Sequence, residues 1–273
     1  MPFRADLAAE SLRGQASAPR YAAAAPKRIA VAIAGLHRAP AIDAALETQA
    51  LFGEAVDVYE ERDGWCWAQL TRDGYVGYLK SAALGAPLAA THRVSALRAH
   101  LYPSATIKSP PVMALSMGAL VGVQDFAPPF ARLSGGGFVI AGHVAALDAH
   151  ADDFVAVAQK FLHAPYLWGG RTSEGIDCSG LVQGALAAAG VAAPRDTDMQ
   201  EKALGAMIDP AGPLKRGDLV FWKGHIGAML DGATLLHANG HHMMVVAEPL
   251  AEAVRRTKEK GGGEVTSIRR LNL

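Results

Sequence analysis

At Asp152 the spacing of apolar residues changes from a period of two to that of a helix, which divides the 273 residues into two kinds of structure. Upstream, from Arg28, short β-type runs at 29–34, 55–59, 66–70 and 76–79 are separated by turn pairs such as Asp63-Gly64 and Asp73-Gly74. Strands that short, joined by tight turns, make a small barrel. A second, weaker block spans 93–147, with runs at 112–115, 120–123 and 137–140. Pro103, Pro110, Pro111, Pro128 and Pro129 limit the length of its strands. Residues 1–27 show no sustained periodicity and read as an N-terminal segment that wraps or frays.

Downstream, Phe154, Val157, Ala158, Phe161 and Leu162 recur at helical spacing and form one apolar stripe. A Gly-rich loop covers 166–175. A second helix is predicted to start near Cys178, to carry Leu181, Val182, Ala185, Leu186 and Ala189, and to stop at Gly190. Asp196 or Thr197 caps a third, running through Ala206. After Pro213 the pattern is β again, at 218–222, 225–230, 234–238, 243–247 and 265–270. The fold class is therefore α+β in this half, with helices first and an antiparallel sheet after.

Charge and composition exclude some functions. The chain has 26 basic and 26 acidic residues, so it lacks the excess of Lys and Arg that a nucleic-acid binder needs to displace counterions. With 51% hydrophobic and 19% charged residues it reads as an ordinary globular protein. Arg4, Asp6, Glu10 and Arg13 interrupt any signal-peptide core, and the apolar run 29–36 is far too short to cross a bilayer. The expectation is a cytoplasmic protein without a membrane partner, its two cysteines, Cys66 and Cys178, free thiols.

Cys178 opens the second helix within Ile176-Asp177-Cys178-Ser179-Gly180. The partial positive charge of a helix N-terminus favours thiolate there and lowers the thiol pKa. A buried structural cysteine is the alternative, but its neighbours Asp177 and Ser179 are polar. A nucleophilic thiolate needs a base, and His225 in Gly224-His225-Ile226-Gly227 starts a predicted strand. His237 ends the next one, twelve residues on. A hairpin turning at Asp231-Gly232 brings the two imidazoles together, so that one orients the other. His225, His237, His241, His242 and Cys178 offer a metal-ligand set, but the adjacent pair His241-His242 is not a zinc spacing, and no metal is expected. Tyr166 and Trp168 read equally as core aromatics or groove walls.

Six pieces in order then resemble one family: residues 166–170, the DCSGLV stretch around Cys178, Pro194-Arg195-Asp196-Thr197 with Gln200, the strand 217–221, Gly224-His225-Ile226-Gly227 and Leu236-His237-Ala238. Together they resemble the NlpC family of bacterial cell-wall cysteine peptidases over about the last 120 residues. Upstream, 46–79 resembles the bacterial SH3-like domain found before the catalytic domain in one branch of that family. The resemblance implies a papain-like catalytic domain at 150–273 after two small SH3-like barrels, at 28–86 and 87–149, with 1–27 as a leading segment. The second block matches poorly.

It also implies roles: Cys178 as nucleophile, His225 as base and His237 as the orienting residue. The branch is similar to the γ-D-glutamyl-L-diamino acid endopeptidases, which cleave between D-Glu and diaminopimelate or Lys in short muropeptides with a free N-terminal L-Ala. Asp177, Ser179, Asp196 and Thr197 match the positions that hold the free amine near the nucleophile, with Thr197 where Ser is common. Glu54 and Tyr75 match the positions in the SH3-like domain. The implied partner is a peptidoglycan-derived peptide and the implied role is turnover and recycling; no cofactor is expected and oligomeric state is left open. A non-catalytic peptidoglycan-binding protein, or an amidase or acyltransferase on the same fold, are the alternatives. The former conflicts with an intact Cys178, His225 and His237; the latter share the thioester step.

Overall fold

The turn pair Asp63-Gly64 closes a hairpin in the manner its sequence predicts. Both residues take positive φ, 51° and 76°, and the strands Ala55–Arg62 and Trp65–Leu70 pair from Arg62 and Trp65 outward. This hairpin is the middle of a seven-stranded antiparallel sheet in the computed structural model, which describes residues 1–272. Its spatial order is Leu84–Gly85, Ala25–Ile29, Ala55–Arg62, Trp65–Leu70, Val76–Lys80, Ile33–His37 and Leu46–Leu51. The alternating inward residues, among them Ile29, Leu36, Val56, Ala68, Leu70 and Leu79, make one core.

The second block forms three small antiparallel sheets. His92–Val94 lies between Leu120–Val121 and Val144–Ala146, Arg98–Leu101 pairs with Met113–Ser116, and Phe130–Leu133 lies between Val123–Ala127 and Phe138–Ile140. The two blocks are not separate bodies: Leu51 of the first is buried in the core of the second with Val94, Leu115 and Val121, and the Leu120 N–H donates to the Phe52 carbonyl at 2.8 Å. Both belong to one unit, Met1–Leu147.

Residues 1–27 wrap and do not fray. Phe3–Arg4, Leu7–Ala9 and Arg20–Ala22 form a three-stranded sheet, with Leu7, Ala8, Ala9 and Leu12 buried. The Arg4 guanidinium lies 4.7 Å from the Trp67 ring centroid and bonds to Asp6 and Glu60. The contacts with Glu60 and Trp67 join residues more than fifty positions apart, so no local periodicity announces them.

The second unit, Asp148–Leu273, is α+β. Its sheet has six antiparallel strands in the order Ala206–Met207, Ser267–Arg270, Leu219–Trp222, His225–Met229, Thr234–Asn239 and Met244–Pro249. Helix α2 (Cys178–Ala188) packs against the His225 and His237 strands, and α1 (Phe154–Gln159) packs on α2. The predicted stripe outruns α1: the helix stops at Gln159 and buried Phe161 sits on the following turn. Helix α3 (Thr197–Ala203) likewise ends before Ala206, which pairs as a strand. Helix α4 (Leu250–Glu259) is an element that the sequence reading did not assign. Among the described residues, no helix is long and apolar enough to cross a membrane.

Candidate active site

The first turn of α2 is built around Asp177. As N-cap its Oδ1 accepts from the Gly180 N–H at 2.7 Å, while its Oδ2 accepts from the Gly169 N–H at 2.8 Å. Gly180 is required there because a Cβ would come within 2.5 Å of the Gly170 carbonyl oxygen, so the helix start lies directly on the Gly-rich loop. Arg195 grips the same carboxylate with both ends of its fork, at 3.0 and 2.6 Å, and donates to the Ser179 hydroxyl at 2.8 Å. Both partners of this ion pair are buried. The Gln200 amide donates to the Ser179 and Pro194 carbonyls and ties α3 to α2.

This scaffold holds the Cys178 thiol at the helix start, 7% exposed, with the Thr197 hydroxyl 3.9 Å from Sγ. Burial, reinforced by the neighbouring Asp177 carboxylate, pushes the thiol up to about 11; the Ile226 N–H, the Thr197 hydroxyl and the Ser179 N–H pull the other way without overcoming it. The sequence-based expectation of a lowered thiol pKa is therefore corrected: the helix N-terminus favours thiolate, but desolvation outweighs it. Tyr166, half-buried beside Cys178, is raised to about 12 by burial and by the nearby sulfur and Asp177.

The Ile226 N–H that reaches Cys178 follows His225 directly, so the strand and the helix bring the candidate base and the candidate nucleophile to one place. Across the hairpin, His225 Nε2 lies 2.8 Å from His237 Nδ1. Gly227 makes room for this pairing, since a Cβ there would sit 3.0 Å from His237 Cβ and 2.7 Å from Leu235 Cδ1. Burial, then the charges of His237 and Arg256, lower His225 to about 3, against an opposing pull from Glu248. Both shifts favour the neutral forms of the thiol and the imidazole.

Several neighbours of the two histidines escaped the sequence reading. His237 Nε2 is 2.7 Å from Glu248 Oε1, and Arg256 donates to both oxygens of that carboxylate, to Oε2 at 2.6 Å. Burial alone would raise the Glu248 carboxyl, but the bonds from His237 and Arg256 hold it well below the usual carboxylate range. Asn239 Nδ2 is 3.0 Å from His237 Nε2, and its Oδ1 accepts from the His241 and His242 N–H groups. Arg256 had a findable signal: Leu250, Ala253 and Val254 fall at helical spacing. Arg195 stands in the stretch Pro194-Arg195-Asp196-Thr197, but its ion pair with Asp177, 18 positions away, had no local signal, and Glu248, 11 positions from His237, had none.

Of the other residues singled out, Asp177, Ser179, Thr197 and Tyr166 are near Cys178, and Asp196 is the N-cap residue of α3, beside Thr197, with no side-chain bond to that helix's N–H groups. Trp168 is 66% exposed and is no core aromatic. Glu54 and Tyr75 lie in the first unit. The buried Glu54 carboxylate accepts from the Leu51 N–H at 2.9 Å and pairs with Arg72; burial raises its pKa, with Arg72 opposing. The Tyr75 hydroxyl donates to Glu47 at 3.4 Å. Cys66 is also buried, its sulfur 3.3 Å from the Ser81 hydroxyl. Among the described residues, no three His, Cys, Asp or Glu side chains are grouped to hold a metal ion.

Comparison with known proteins gives matches in both units. Residues 36–84 match the bacterial dipeptidyl-peptidase SH3 domain and residues 163–259 match the NlpC/P60 family. A γ-D-glutamyl-L-lysine dipeptidyl-peptidase of Bacillus subtilis is 33% identical over 218 residues, 72% of this chain and 73% of the relative. A protein of the same name from Bacillus cereus is 31% identical over 108 residues, 37% of this chain but only 32% of that relative. The crystal structure of an NlpC/P60 family protein from Bacillus cereus superposes with a TM-score of 0.76 at 20% identity, covering 90% of this chain and 99% of that one, and shows that the fold is shared. The chain belongs to the NlpC/P60 family of cysteine peptidases, in the branch that carries an SH3-like domain before the catalytic one.

Proposed function

We propose that the protein is a γ-D-glutamyl-L-diamino acid endopeptidase. It removes L-Ala-γ-D-Glu from short muropeptides by hydrolysing the bond to diaminopimelate or Lys. The observation that carries this reading is the likeness, through both units, to a relative named for that specificity. A dipeptidyl-peptidase needs a free N-terminus, and stems of intact wall are acylated there by muramic acid. The substrate is therefore a released turnover peptide, and the proposed setting is recycling in the cytoplasm.

The site supplies the chemistry with no cofactor. The Cys178 Sγ attacks the γ-carbonyl carbon of D-Glu while its proton passes to the neutral His225, and the oxyanion meets the backbone N–H groups at the start of α2. The resulting imidazolium gives its proton to the leaving amine of the diamino acid. Water then attacks the thioester, losing a proton to His225, and the γ-carboxylic acid leaves as the thiol is restored. Asp196, beside Thr197 at the start of α3, is the proposed partner of the substrate ammonium, the role that the resemblance implies for its position. Thr197 and Tyr166 flank the thiol.

Incubation with L-Ala-γ-D-Glu-diaminopimelate, followed by mass spectrometry, tests the reading. Appearance of L-Ala-γ-D-Glu and diaminopimelate, absent with Cys178→Ala, is the expected result. An intact tripeptide, or loss of L-Ala alone, would contradict it.

A further inference from the structure

The base has a tail that reaches well beyond His237. Glu248 lies on the strand Met244–Pro249, paired with the His237 strand along six residues, and Arg256 comes from α4 behind it. From these elements a line of four groups runs through the fold: Arg256, the Glu248 carboxylate, His237 and His225. The Glu248 side chain is 12% exposed and that of His237 3%, so water competes little for these bonds.

We propose that Glu248, held by Arg256, is a positioning residue that sets which nitrogen of each imidazole carries the proton, leaving His225 Nδ1 as the atom that accepts from the thiol. A carboxylate is an acceptor only, so the 2.7 Å contact with His237 Nε2 requires a proton on that nitrogen. A neutral His237 then has its lone pair on Nδ1, and the 2.8 Å contact with His225 Nε2 requires the proton of His225 to be on Nε2. One carboxylate thereby fixes two rings.

One neighbour opposes this arrangement. The Asn239 amide nitrogen, 3.0 Å from His237 Nε2, is a donor, and it cannot be flipped because its oxygen already serves the His241 and His242 N–H groups. A donor there favours a lone pair on Nε2, the tautomer that would put the His225 proton on Nδ1 and block it as a base. Strength decides the contest. A bond from N–H to a carboxylate is roughly twice as strong as a neutral one, so Glu248 prevails while it is charged. Arg256 supports it by bonding to both of its oxygens.

Glu248→Met isolates the effect, since it keeps the length of the side chain and removes both acceptor oxygens. The Asn239 amide then faces His237 Nε2 without an opposing carboxylate, and both rings are driven to the opposite tautomer. The test reads the ring ¹⁵N signals of His225 and His237, which separate protonated from unprotonated nitrogens and need no substrate. In the wild-type protein near neutral pH each ring is expected to be protonated at Nε2 and bare at Nδ1; a proton on Nδ1 of either ring overturns the proposal, whether or not the variant folds. In Glu248→Met the pattern is expected to invert and kcat to fall on the order of a hundredfold with KM little changed. An unchanged pattern, or unchanged kcat, overturns it. The turnover part rests on the peptidase reading above, and because the ¹⁵N part does not, failure of one is distinguishable from failure of the other.

Discussion

His225 Nε2 and His237 Nδ1 face each other at 2.8 Å across a hairpin, so the protonation of one ring dictates that of the other. This contact makes His237 more than a spacer, yet the two residues are not equivalent. His225→Ala removes the proton acceptor, and kcat/KM is expected to fall by about a thousandfold or more. In His237→Gln an amide oxygen can still accept from His225 Nε2–H, and the expected loss is about ten- to a hundredfold. Equal, complete loss in both variants with folding retained would contradict this division of roles.

The two thiols offer a direct contrast. Cys178→Ala is expected to abolish cleavage without unfolding, because little volume is lost. Cys66→Ala is expected to retain activity, since that thiol packs in the core of the first unit. Activity assays and circular dichroism on both variants check this; loss with Cys66→Ala and survival with Cys178→Ala would overturn the assignment.

The pH profile follows from the shifts at the site. A base lowered to about 3 is unprotonated above that pH, and a thiol raised to about 11 keeps its proton below that pH. Both groups hold their working neutral forms in between, so over about pH 6 to 9 neither contributes a limb to kcat/KM, and the one expected fall, above about pH 8, is that of the substrate α-ammonium losing its proton. Alkylation of Cys178 by iodoacetamide is expected to quicken steadily with pH throughout that range, without a plateau. A limb in kcat/KM near pH 7, or a plateau in alkylation by pH 7, would instead indicate a preformed thiolate.

Arg195→Met leaves the Asp177 carboxylate buried without its ion-pair partner, which costs about 3 to 5 kcal/mol. Urea denaturation is expected to show a loss of that size, and Arg195→Met combined with Asp177→Asn a smaller one, because the uncompensated charge is gone. Equal losses in the single and double variants would mean that packing, not charge, makes the pair necessary.

What the sequence revealed depended on how local each cause is. The change of period at Asp152, the Asp63-Gly64 turn and the twelve residues between His225 and His237 are short-range signals, and the sheet and hairpin follow them. The wrapping of residues 1–27 is fixed in part by Arg4 meeting Trp67 and Glu60, which no window of sequence contains. The thiol illustrates a different limit: its place at a helix start was readable, but its desolvation depends on how α2, α3 and the His225 strand close over it. Helix α4 was readable from Leu250, Ala253 and Val254, but the carboxylate that its Arg256 holds becomes visible only when the strand Met244–Pro249 pairs beside His237.

The central claim, a thiol peptidase that reads a free N-terminal amine, is tested most directly by kcat/KM for L-Ala-γ-D-Glu-diaminopimelate beside its N-acetyl and N-muramoyl forms. Blocking the ammonium leaves a carboxylate at the site without its partner, at a cost of about 3 to 5 kcal/mol if the pair is buried. This corresponds to a loss on the order of a hundredfold to several thousandfold for both blocked forms. Similar values for all three substrates would contradict the account and indicate an enzyme acting on stems still attached to the wall.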